Sequence, residues 1–336
     1  MRITVRHLSE GFDAGPEDTL LEAGRRAGFG FPHACRNGNC LRCQGTLLHG
    51  KVRQRIGNLA SAEQHLCATP ESPCQVLYCV AYALSDCEID VPDVTAPGQL
   101  PVFEVACQVH AIDPLSPDVS RVLLRLPAGR KVRWYAGQYL LLQVPGGSLS
   151  AFSIANPAPA RMLELHVRHP AGQASTDHLM AALAEHATVQ VTLPQGTRHL
   201  GEHPSTRPQW FICGSTGFAP VKAMIEQLLT LPSPPPIRLY WGARQQPDLY
   251  LESLARHWAA EHGIALVLAL SDLPQAGYVH GLVQEPVLAD LPHHAWGEFH
   301  VAGSPPMAWA VHDALAAAGV PRADIHSDVF DYAPRD

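Results

Sequence analysis

The chain has 336 residues, of which 46% are hydrophobic and 16% are charged, and its formal net charge is −7. This length allows two or three domains, and no apolar run approaches the roughly eighteen residues that a membrane-spanning helix needs. The acidic balance, without a basic tract, argues against nucleic-acid binding. The N-terminus alternates like a strand and carries no secretion signal, so we expect the protein in the reducing cytoplasm. We also expect a monomer.

The first chemical motif along the chain is a Cys-x4-Cys-x2-Cys run formed by Cys35, Cys40 and Cys43. This spacing is that of the three-thiolate loop of a plant-type [2Fe-2S] cluster, in which each iron takes two protein thiolates. Gly38 at the turn lets a short loop wrap several sulfurs around one inorganic core. The motif therefore predicts a [2Fe-2S] cluster and a protein through which electrons pass.

The fourth cluster ligand must come from outside this loop, and three later cysteines are candidates. Cys79 is favoured because it lies in the strand-like stretch Val76–Val91, after a turn. Cys74 is the main rival, since an insertion precedes Cys79 relative to the usual spacing. Cys67 is the third candidate, and the cysteines that are not ligands would be spare thiols.

Zinc and disulfide bonds are the alternative uses of these cysteines. Zinc ligands usually come as two Cys or His pairs, and no second pair completes a tetrahedral set here. A chain of this length buries a large core and does not need a disulfide framework. Cys87, Cys107 and Cys213 stand alone in apolar or strand-like contexts, so we expect them to be small buried side chains.

The proline-punctuated stretch Pro92–Pro101 follows the cluster region and is the best linker candidate. The first domain would then cover residues 1–95. Residues 102–203 contain strand after strand with Pro and Gly between them, which predicts an antiparallel barrel. The predicted strands include Val105–His110, Arg121–Leu126, Tyr139–Val144, Leu163–Arg168 and Thr188–Leu193.

Residues 207–336 alternate apolar strands with helical stretches, which predicts a parallel sheet with crossover helices. The predicted strands include Trp210–Cys213, Ile237–Trp241, Ala265–Ala269 and Glu298–Ala302. The predicted helices include Pro220–Leu231, Leu249–His262 and Pro306–Ala318.

The first strand of this α/β region turns through Gly214, Thr216 and Gly217 into a helix that starts near Pro220. Such a junction exposes backbone N–H groups and the helix dipole to a pyrophosphate. The first strand-to-helix turn of an alternating domain is where a dinucleotide is expected to bind. The same carboxyl edge of the sheet supplies further candidates for nucleotide binding: Gly242, Arg244, Asp248, Gly303, Pro306 and Met307.

The order of cluster loop, barrel and nucleotide region resembles reductase components in which an N-terminal ferredoxin is fused to a ferredoxin-reductase-like unit. The reductases of naphthalene dioxygenase, phenol hydroxylase and CDP-6-deoxyhexose dehydratase belong to this group. The resemblance covers the whole chain and rests on the cysteine loop, the Gly-Ser-Thr-Gly-Phe-Ala-Pro and Tyr-Trp-Gly-Ala-Arg runs, Ser-Pro-Pro-Met, and the terminal Ser327–Phe330. It implies a β-grasp ferredoxin domain, an FAD-binding barrel and an NAD(P)-binding domain.

The resemblance implies an electron relay from NADH through FAD to the cluster and on to a partner oxygenase, hydroxylase or deoxysugar dehydratase. Two other functions stay open: an electron carrier whose flavin site has degenerated, and a free flavin or ferric reductase. Arg244 stands where a 2′-phosphate would be read, whereas Asp248 suits an unphosphorylated ribose. Relatives with this motif look mostly NADH-linked, so NADH is favoured over NADPH.

The flavin motif of the family, Arg-x-Tyr-Ser, here reads Ser150-Ala-Phe152-Ser153. A charge-assisted contact to phosphate is worth roughly 1.5–3 kcal/mol, so the missing arginine predicts loosely held FAD. The resemblance assigns the remaining flavin contacts to His166, Arg168, Gly172, Ser175 and Thr176, and catalytic positions to Ser153, Asp328 and Phe330. Asp328 and Phe330 would close over the flavin near the nicotinamide. Ser215 and Ala302 depart from the family's usual glycine and cysteine.

Overall fold

The structure is a computed structural model that describes residues 1–8, 10–55 and 63–335. The chain divides into two compact units, Met1–Pro101 and Val102–Asp336, so the boundary falls at the end of the stretch predicted to be a linker. A further division of the second unit near residues 203–207 stays a prediction. Within the described ranges, no helix has both the length and the apolar character needed to cross a membrane.

The described part of the first unit is a mixed sheet with one short helix packed against it. Its elements are β1 (Arg2–Val5), β2 (Gly11–Asp13), α1 (Leu20–Arg26), β3 (Gln44–Arg55), β4 (Glu63–Ala68), β5 (Cys74–Leu77), β6 (Ala81–Ala83) and β7 (Cys87–Asp90). The strand order is β2-β1-β7-β3-β4, with β5 and β6 also paired to β3. The first and last strands, β1 and β7, run parallel at the centre of this sheet. The predicted β-grasp fold is confirmed.

Helix α1 begins where a capping box satisfies its free N–H groups. The Thr19 hydroxyl accepts a hydrogen bond from Glu22 N at 3.1 Å, and the Glu22 carboxylate accepts from Thr19 N at 3.4 Å. Four buried aromatic side chains of this unit contact one another edge to face or tilted: Phe12, Phe29, Phe31 and Tyr78. Each buried phenylalanine contributes roughly 1.5–3 kcal/mol to folding.

The second unit opens with an antiparallel barrel, as predicted. Its elements are β8 (Phe103–Ser116), β9 (Val119–Arg125), β10 (Tyr139–Gln143), β11 (Ser150–Ser153), β12 (Met162–Arg168), α2 (Ala174–Glu185) and β13 (Thr188–Gln195). The strand order is β11-β10-β13-β8-β9-β12. The two outer strands meet just beyond β11, where Ala155 N donates a hydrogen bond to Glu164 O at 2.7 Å. This contact places the end of β11 beside the first half of β12.

The remainder of the second unit is a parallel sheet with helices between its strands. Its elements are β14 (Gln209–Gly214), α3 (Phe218–Leu229), β15 (Ile237–Ala243), α4 (Glu252–His262), β16 (Ala265–Leu270), β17 (Val279–His280), α5 (Gln284–Asp290), β18 (Glu298–Ala302), α6 (Pro305–Ala317), β19 (Ile325–His326) and α7 (Val329–Tyr332). The order is β17-β16-β15-β14-β18-β19, and every neighbouring pair is parallel. Side chains of β14 alternate between two buried clusters, so both faces of the sheet are covered.

Most predicted elements of this sheet coincide with observed ones, with shifted ends. Helix α3 begins at Phe218 rather than at Pro220, because residues Ser215–Gly217 form a 3₁₀ turn that leads directly into it. The expectation for the lone cysteines is confirmed: Cys87, Cys107 and Cys213 are all buried.

Candidate functional site: a thiol loop and a cofactor cleft

The thiol loop of the first unit, residues 34–42, holds two cysteines that face each other. Cys35 N donates to Cys40 Sγ at 3.4 Å, and Cys40 N donates to Cys35 Sγ at 3.3 Å. A hydrogen bond from the Asn37 backbone, together with those from Cys40, lowers the pKa of Cys35 to about 6. The loop therefore stabilises the thiolate form that iron ligation requires.

The other two predicted ligands form a second, buried pair. Cys43 Sγ lies 3.0 Å from Cys79 Sγ, which comes from the turn between β5 and β6. Burial and the neighbouring thiol of Cys43 raise the pKa of Cys79 to about 12, despite a backbone hydrogen bond from Gly38. Two buried thiols in contact fit a site where a bound cation removes the cost of ionising them.

The four sulfurs thus lie in two pairs. Among the described residues, no three His, Cys, Asp or Glu side chains are grouped closely enough to hold a single metal ion. The donor chemistry nevertheless fits a cluster, because all four are sulfur and the loop backbone directs N–H groups at them. Of the rival cysteines, Cys74 lies opposite Leu47 on β3, and Cys67 is exposed.

The second unit contains a cleft of about 700 Å³ between the barrel and the carboxyl edge of the parallel sheet. Strands β10, β11 and β12 form one wall, and the turns after β14, β18 and β19 form the other. Ten of the predicted site residues line it: Phe152, Ser153, His166, Arg168, Gly214, Thr216, Gly217, Pro220, Gly303 and Asp328. The cleft thus brings predicted flavin residues and predicted nicotinamide residues together in one space.

The glycine-rich turn after β14 fits tightly against the turn after β18. A Cβ atom added to Gly217 would collide with the Ala302 carbonyl, so no larger residue fits here without displacing a neighbouring strand end. Ser215 has φ +48°, a left-handed conformation in which glycine would be unstrained. Trp241 Nε1 donates to Ser215 O at 3.2 Å and fixes this turn.

On the cleft wall, one atom of a carboxylate and one atom of a guanidinium are buried without a hydrogen-bond partner. Within the described residues, Arg198 Nε and Asp328 Oδ1 are the buried side-chain N and O atoms without a hydrogen-bond partner. Burial, followed by the nearby Asp331 charge, raises the pKa of Asp328 to about 7. Unsatisfied polar atoms in a cleft of this size fit a site that receives a polar cofactor.

His166 lines the cleft, but both of its ring nitrogens are engaged by protein groups. Nε2 lies 2.9 Å from the Glu164 carboxylate and Nδ1 lies 2.9 Å from the Tyr250 hydroxyl. Because a carboxylate only accepts, Nε2 carries the proton and Nδ1 accepts from the tyrosine. Burial lowers the pKa of His166, so the ring is neutral at pH 7. It presents ring carbons to the cleft, not a free donor.

Arg168, a predicted flavin ligand, is only half exposed and is already paired. Its Nε donates to Asp118 Oδ2 at 2.8 Å. The predicted pyrophosphate residues lie at the start of α2, where the Thr176 hydroxyl donates to Gln173 O at 3.0 Å and Gly172 has φ +82°. Ser175 lies in the same first turn. Ser150 is also outside the cleft lining, and its hydroxyl donates to Ser148 O at 3.4 Å.

Phe330, predicted to close over the flavin, lies elsewhere. Its ring centroid is 4.6 Å from that of Trp309 and 5.2 Å from that of His312, both on α6. The ring is partly buried against the apolar surface of α6. Tyr332, at the end of the short helix α7, lines the cleft instead. Met307 packs over Gly214 and Gly303, and Pro306 lies in the first turn of α6.

The residues predicted to contact the ribose follow the carboxyl end of β15. Arg244 is held by Asp272 at 3.4 Å, and its side chain is 75% exposed. The Asp248 carboxylate accepts from Gln245 N at 3.2 Å and so caps the short 3₁₀ turn that it ends. Gly242 packs its backbone against Val283. Arg244 is therefore the more accessible of the two candidate ribose readers.

Sequence reasoning missed several residues of the cleft wall: Gly137, Tyr139, Arg198, His300, His326 and Tyr332. His300 donates from Nε2 to Gln209 Oε1 at 2.8 Å, and burial lowers its pKa to about 3, so it stays neutral. His326 lies beside it, with ring centroids 5.4 Å apart. The signal available in the sequence was their position at the carboxyl ends of β18 and β19, next to motifs already identified.

Two family profiles match the chain. The "2Fe-2S iron-sulfur cluster binding domain" matches residues 3–84, and the "Oxidoreductase NAD-binding domain" matches residues 211–313. Reductase component 2 of terephthalate 1,2-dioxygenase from Comamonas sp is 32% identical over 99% of this chain and 98% of its own length. The CDP-6-deoxy-L-threo-D-glycero-4-hexulose-3-dehydrase reductase of Yersinia pestis is 28% identical over 95% of each chain.

Among solved structures, the Amycolatopsis reductase GcoB is similar, with a TM-score of 0.64, 30% identity and 97% coverage of both chains. The chain belongs to the family of electron-transfer reductases that join a [2Fe-2S] ferredoxin domain to a ferredoxin-reductase-like unit binding flavin and nicotinamide. It is an oxidoreductase, and its cofactors are a [2Fe-2S] cluster, FAD and NADH. The predicted family, fold class, enzyme class and cofactors are confirmed.

Proposed function

We propose that this chain takes electrons from NADH and delivers them singly to a separate oxygenase, hydroxylase or deoxysugar dehydratase component. The observation that carries the proposal is a cleft of about 700 Å³ that is lined both by barrel residues and by the nucleotide turns. When bound, FAD would supply the conversion between two-electron donation by NADH and one-electron acceptance by the cluster. A flavin site beside a nicotinamide site is what this chemistry requires.

The residues of the cleft have separable roles in this proposal. The backbone N–H groups at the start of α3, around Gly217, bind the pyrophosphate of NADH. Ser153 and Asp328 orient the reacting rings from opposite walls. Phe152 supplies an apolar surface to the flavin in place of the tyrosine of related motifs. The cleft excludes water from the hydride-transfer step.

Cys35, Cys40, Cys43 and Cys79 are the proposed cluster ligands. The close approach of Cys79 to Cys43 favours Cys79 over Cys74, and Cys74 would then be a spare thiol. We also propose a cytoplasmic location, because a reducing compartment suits the cluster and the free thiols.

The electron acceptor would approach the thiol loop, where Cys35 and Cys40 are exposed. Arg36, Leu41 and Arg42 adjoin these cysteines in the sequence and are exposed, and the sequence has no Asp or Glu between Glu22 and Glu63. An acceptor with an acidic docking face fits this surface. Reversing both charges, as Arg36→Glu with Arg42→Glu, should speed reduction of the basic probe cytochrome c several-fold at low salt. A rate that does not change with these charges would contradict an acidic partner.

The test of the main proposal is a visible spectrum of anaerobically purified protein, before and after NADH, with the released flavin quantified. Bleaching of flavin and cluster within seconds is the expected result. A protein with cluster absorbance that NADH leaves unchanged, even after FAD is added, would be an electron carrier instead. Flavin that turns over but is lost on desalting, with no electrons reaching the cluster, would indicate a free flavin reductase.

A further inference from the structure

Lys222 on α3 is a buried lysine that none of the proposed steps uses. Its side chain is 9% exposed and its ammonium contacts three acceptors. Nζ lies 3.2 Å from Glu164 Oε2 on β12, 2.9 Å from Glu226 Oε1 on its own helix, and 3.1 Å from the carbonyl of Ala155, just after β11. One ammonium group thus connects the nucleotide-binding helix to two strands of the barrel.

The contacts of Lys222 continue through Glu164 to the cleft. The other oxygen of Glu164 accepts from His166 Nε2, and His166 Nδ1 accepts from Tyr250, a residue that follows β15. We call Lys222, Glu164, Glu226, His166 and Tyr250 the seam network. It crosses twice between the barrel and the parallel sheet, once through Lys222 and once through Tyr250.

Of the two carboxylates that contact Lys222, Glu164 is the one whose ionised form the seam network favours. Burial opposes ionisation of Glu164, but the hydrogen bond from His166 and the charge of Lys222 outweigh it and lower its pKa. Burial dominates at Glu226 and raises its pKa, although Lys222 acts in the opposite direction. A buried ion pair of this kind is weak evidence for stability, because desolvation offsets the attraction. The position of Lys222 between the two walls of the cleft is therefore a stronger argument for its role than any contribution to stability.

The anchor points of Lys222 lie beside the reacting residues on both walls. Ala155 follows Ser153 closely along the chain, and Lys222 follows Gly217 by little more than one helical turn. Hydride transfer needs the two reacting atoms about 3–3.5 Å apart, and a misplacement of about 1 Å costs on the order of a hundredfold in rate. A group that contacts both walls of the cleft therefore controls the distance between the reacting atoms, to which the rate is most sensitive.

We propose that Lys222 is a positioning residue that holds the flavin wall and the nicotinamide wall of the cleft at the separation hydride transfer requires. This role rests on the proposed function. Lys222 touches neither reacting ring, so its loss should slow the transfer step while each wall still binds its own cofactor.

The test is Lys222→Met in the full-length holoprotein, which keeps the apolar stem and removes the charge and the donors. Flavin reduction at saturating NADH, followed anaerobically by stopped flow, should slow about 30- to 100-fold. The dissociation constants of FAD and NAD⁺ should change by less than about threefold. Amide hydrogen exchange should rise at Ala155, whose N–H donates to Glu164 O, and at Glu164, whose N–H donates to Asn156 Oδ1. Lys131→Met, an exposed lysine of the same unit, is the matched control and should leave all four quantities unchanged.

A second variant separates positioning from simple charge balance. Lys222→Met leaves Glu164 buried without its cation, so Lys222→Met with Glu164→Gln removes that charge as well. The double variant should fold stably yet transfer hydride as slowly as the single variant. Recovery of the wild-type rate in the double variant would overturn the proposal, as would loss of FAD or NAD⁺ affinity equal to the loss of rate. If NADH fails to reduce the wild-type flavin at all, the proposed function fails, whereas hydrogen exchange still reports whether Lys222 joins the two walls.

Discussion

The two cofactor regions of this chain differ most in their access to water. In the thiol loop of the first unit, Cys35 and Cys40 are exposed and Leu41 is 57% exposed. In the cleft of the second unit, Asp328 Oδ1 and the ring of His166 are buried. A one-electron exchange with a partner needs an accessible centre, whereas hydride transfer needs one from which water is excluded. One chain therefore meets two opposite solvent requirements by placing them in separate compact units.

The same contrast holds for the acid groups of the two regions. Backbone hydrogen bonds in the loop lower the pKa of Cys35 to about 6, while burial in the cleft raises the pKa of Asp328 to about 7. Hydrogen bonds to an anion favour its charged form, and desolvation favours the neutral form. Near neutral pH the loop therefore holds thiolate, and the cleft holds a carboxyl that is close to its midpoint.

The largest expected effect separates the two regions completely. Cys79→Ser should abolish the visible absorbance of the cluster and all electron delivery to cytochrome c, because one thiolate of the set is lost. NADH should still bleach the flavin, since the cleft lies in the other unit. Cys74→Ser is the matched control and should keep the cluster, as judged by iron content and absorbance. Loss of the cluster in Cys74→Ser, with retention in Cys79→Ser, would reverse the proposed ligand set.

The second prediction is a substitution that should impair the cleft and leave the cluster intact. In Gly217→Ala the new methyl group would meet the Ala302 carbonyl and would lie 2.8 Å from Gly303 N. We expect the rate of flavin reduction by NADH to fall more than about a hundredfold, because the nucleotide turn must move, while the cluster spectrum stays intact. Gly129 has open space around it but φ +80°, so Gly129→Asn, with a side chain that tolerates this conformation, serves as the control for a glycine replacement in the same unit. Normal NADH kinetics in Gly217→Ala would mean that this turn does not bind the nucleotide.

The third prediction concerns the pH dependence that burial of Asp328 imposes. Its pKa is about 7 in the folded protein and 3.8 in the unfolded chain, so the unfolded state ionises first and the folded state loses stability as pH rises from about 4 to 7. Three pKa units correspond to about 4 kcal/mol for an enclosed group, and about half is expected in the cofactor-free protein, because water then enters the space that the cofactors would fill.

Urea unfolding of the cofactor-free protein should therefore show Asp328→Asn more stable than wild type by about 2 kcal/mol at pH 8, with little difference at pH 4. Asp177→Asn, an exposed carboxyl on α2, should show no such pH-dependent gain. Equal stability of Asp328→Asn and wild type at both pH values would show that the carboxyl is solvated.

The smallest expected effect lies at the rim of the second unit. Arg244 is exposed and only loosely held by Asp272, so it can reach a 2′-phosphate at little cost. Arg244→Gln should raise the KM for NADPH about fivefold and change the KM for NADH by less than about twofold. Steady-state kinetics with both coenzymes measure this difference. Asp272→Asn, which releases the arginine, should shift the ratio the other way, and an equal change for both coenzymes would remove Arg244 from ribose recognition.

Local motifs carried most of what could be predicted for the cofactors. The spacing of Cys35, Cys40 and Cys43 indicates a cluster loop because ligand geometry limits the loop length. The glycine-rich turn before α3 indicates a dinucleotide because it joins the first strand of an alternating domain to a helix N-terminus, whose free N–H groups can bind a pyrophosphate. Alternating patterns likewise predicted the barrel and the parallel sheet, since burial on one or both faces determines the period of apolar residues.

The sequence by itself determined which cofactors this chain is built for, through motifs whose residues are near one another along the chain. Tertiary structure alone decided the contact of Cys79 with Cys43, the packing of Phe330 against α6 and the ion pair of Lys222 with Glu164. The members of each of these contacts are separated by a turn, a helix or a whole sheet, and no local period predicts which distant surface a side chain meets. Packing and strand register set those distances, because each buried group must find its partner in the assembled core.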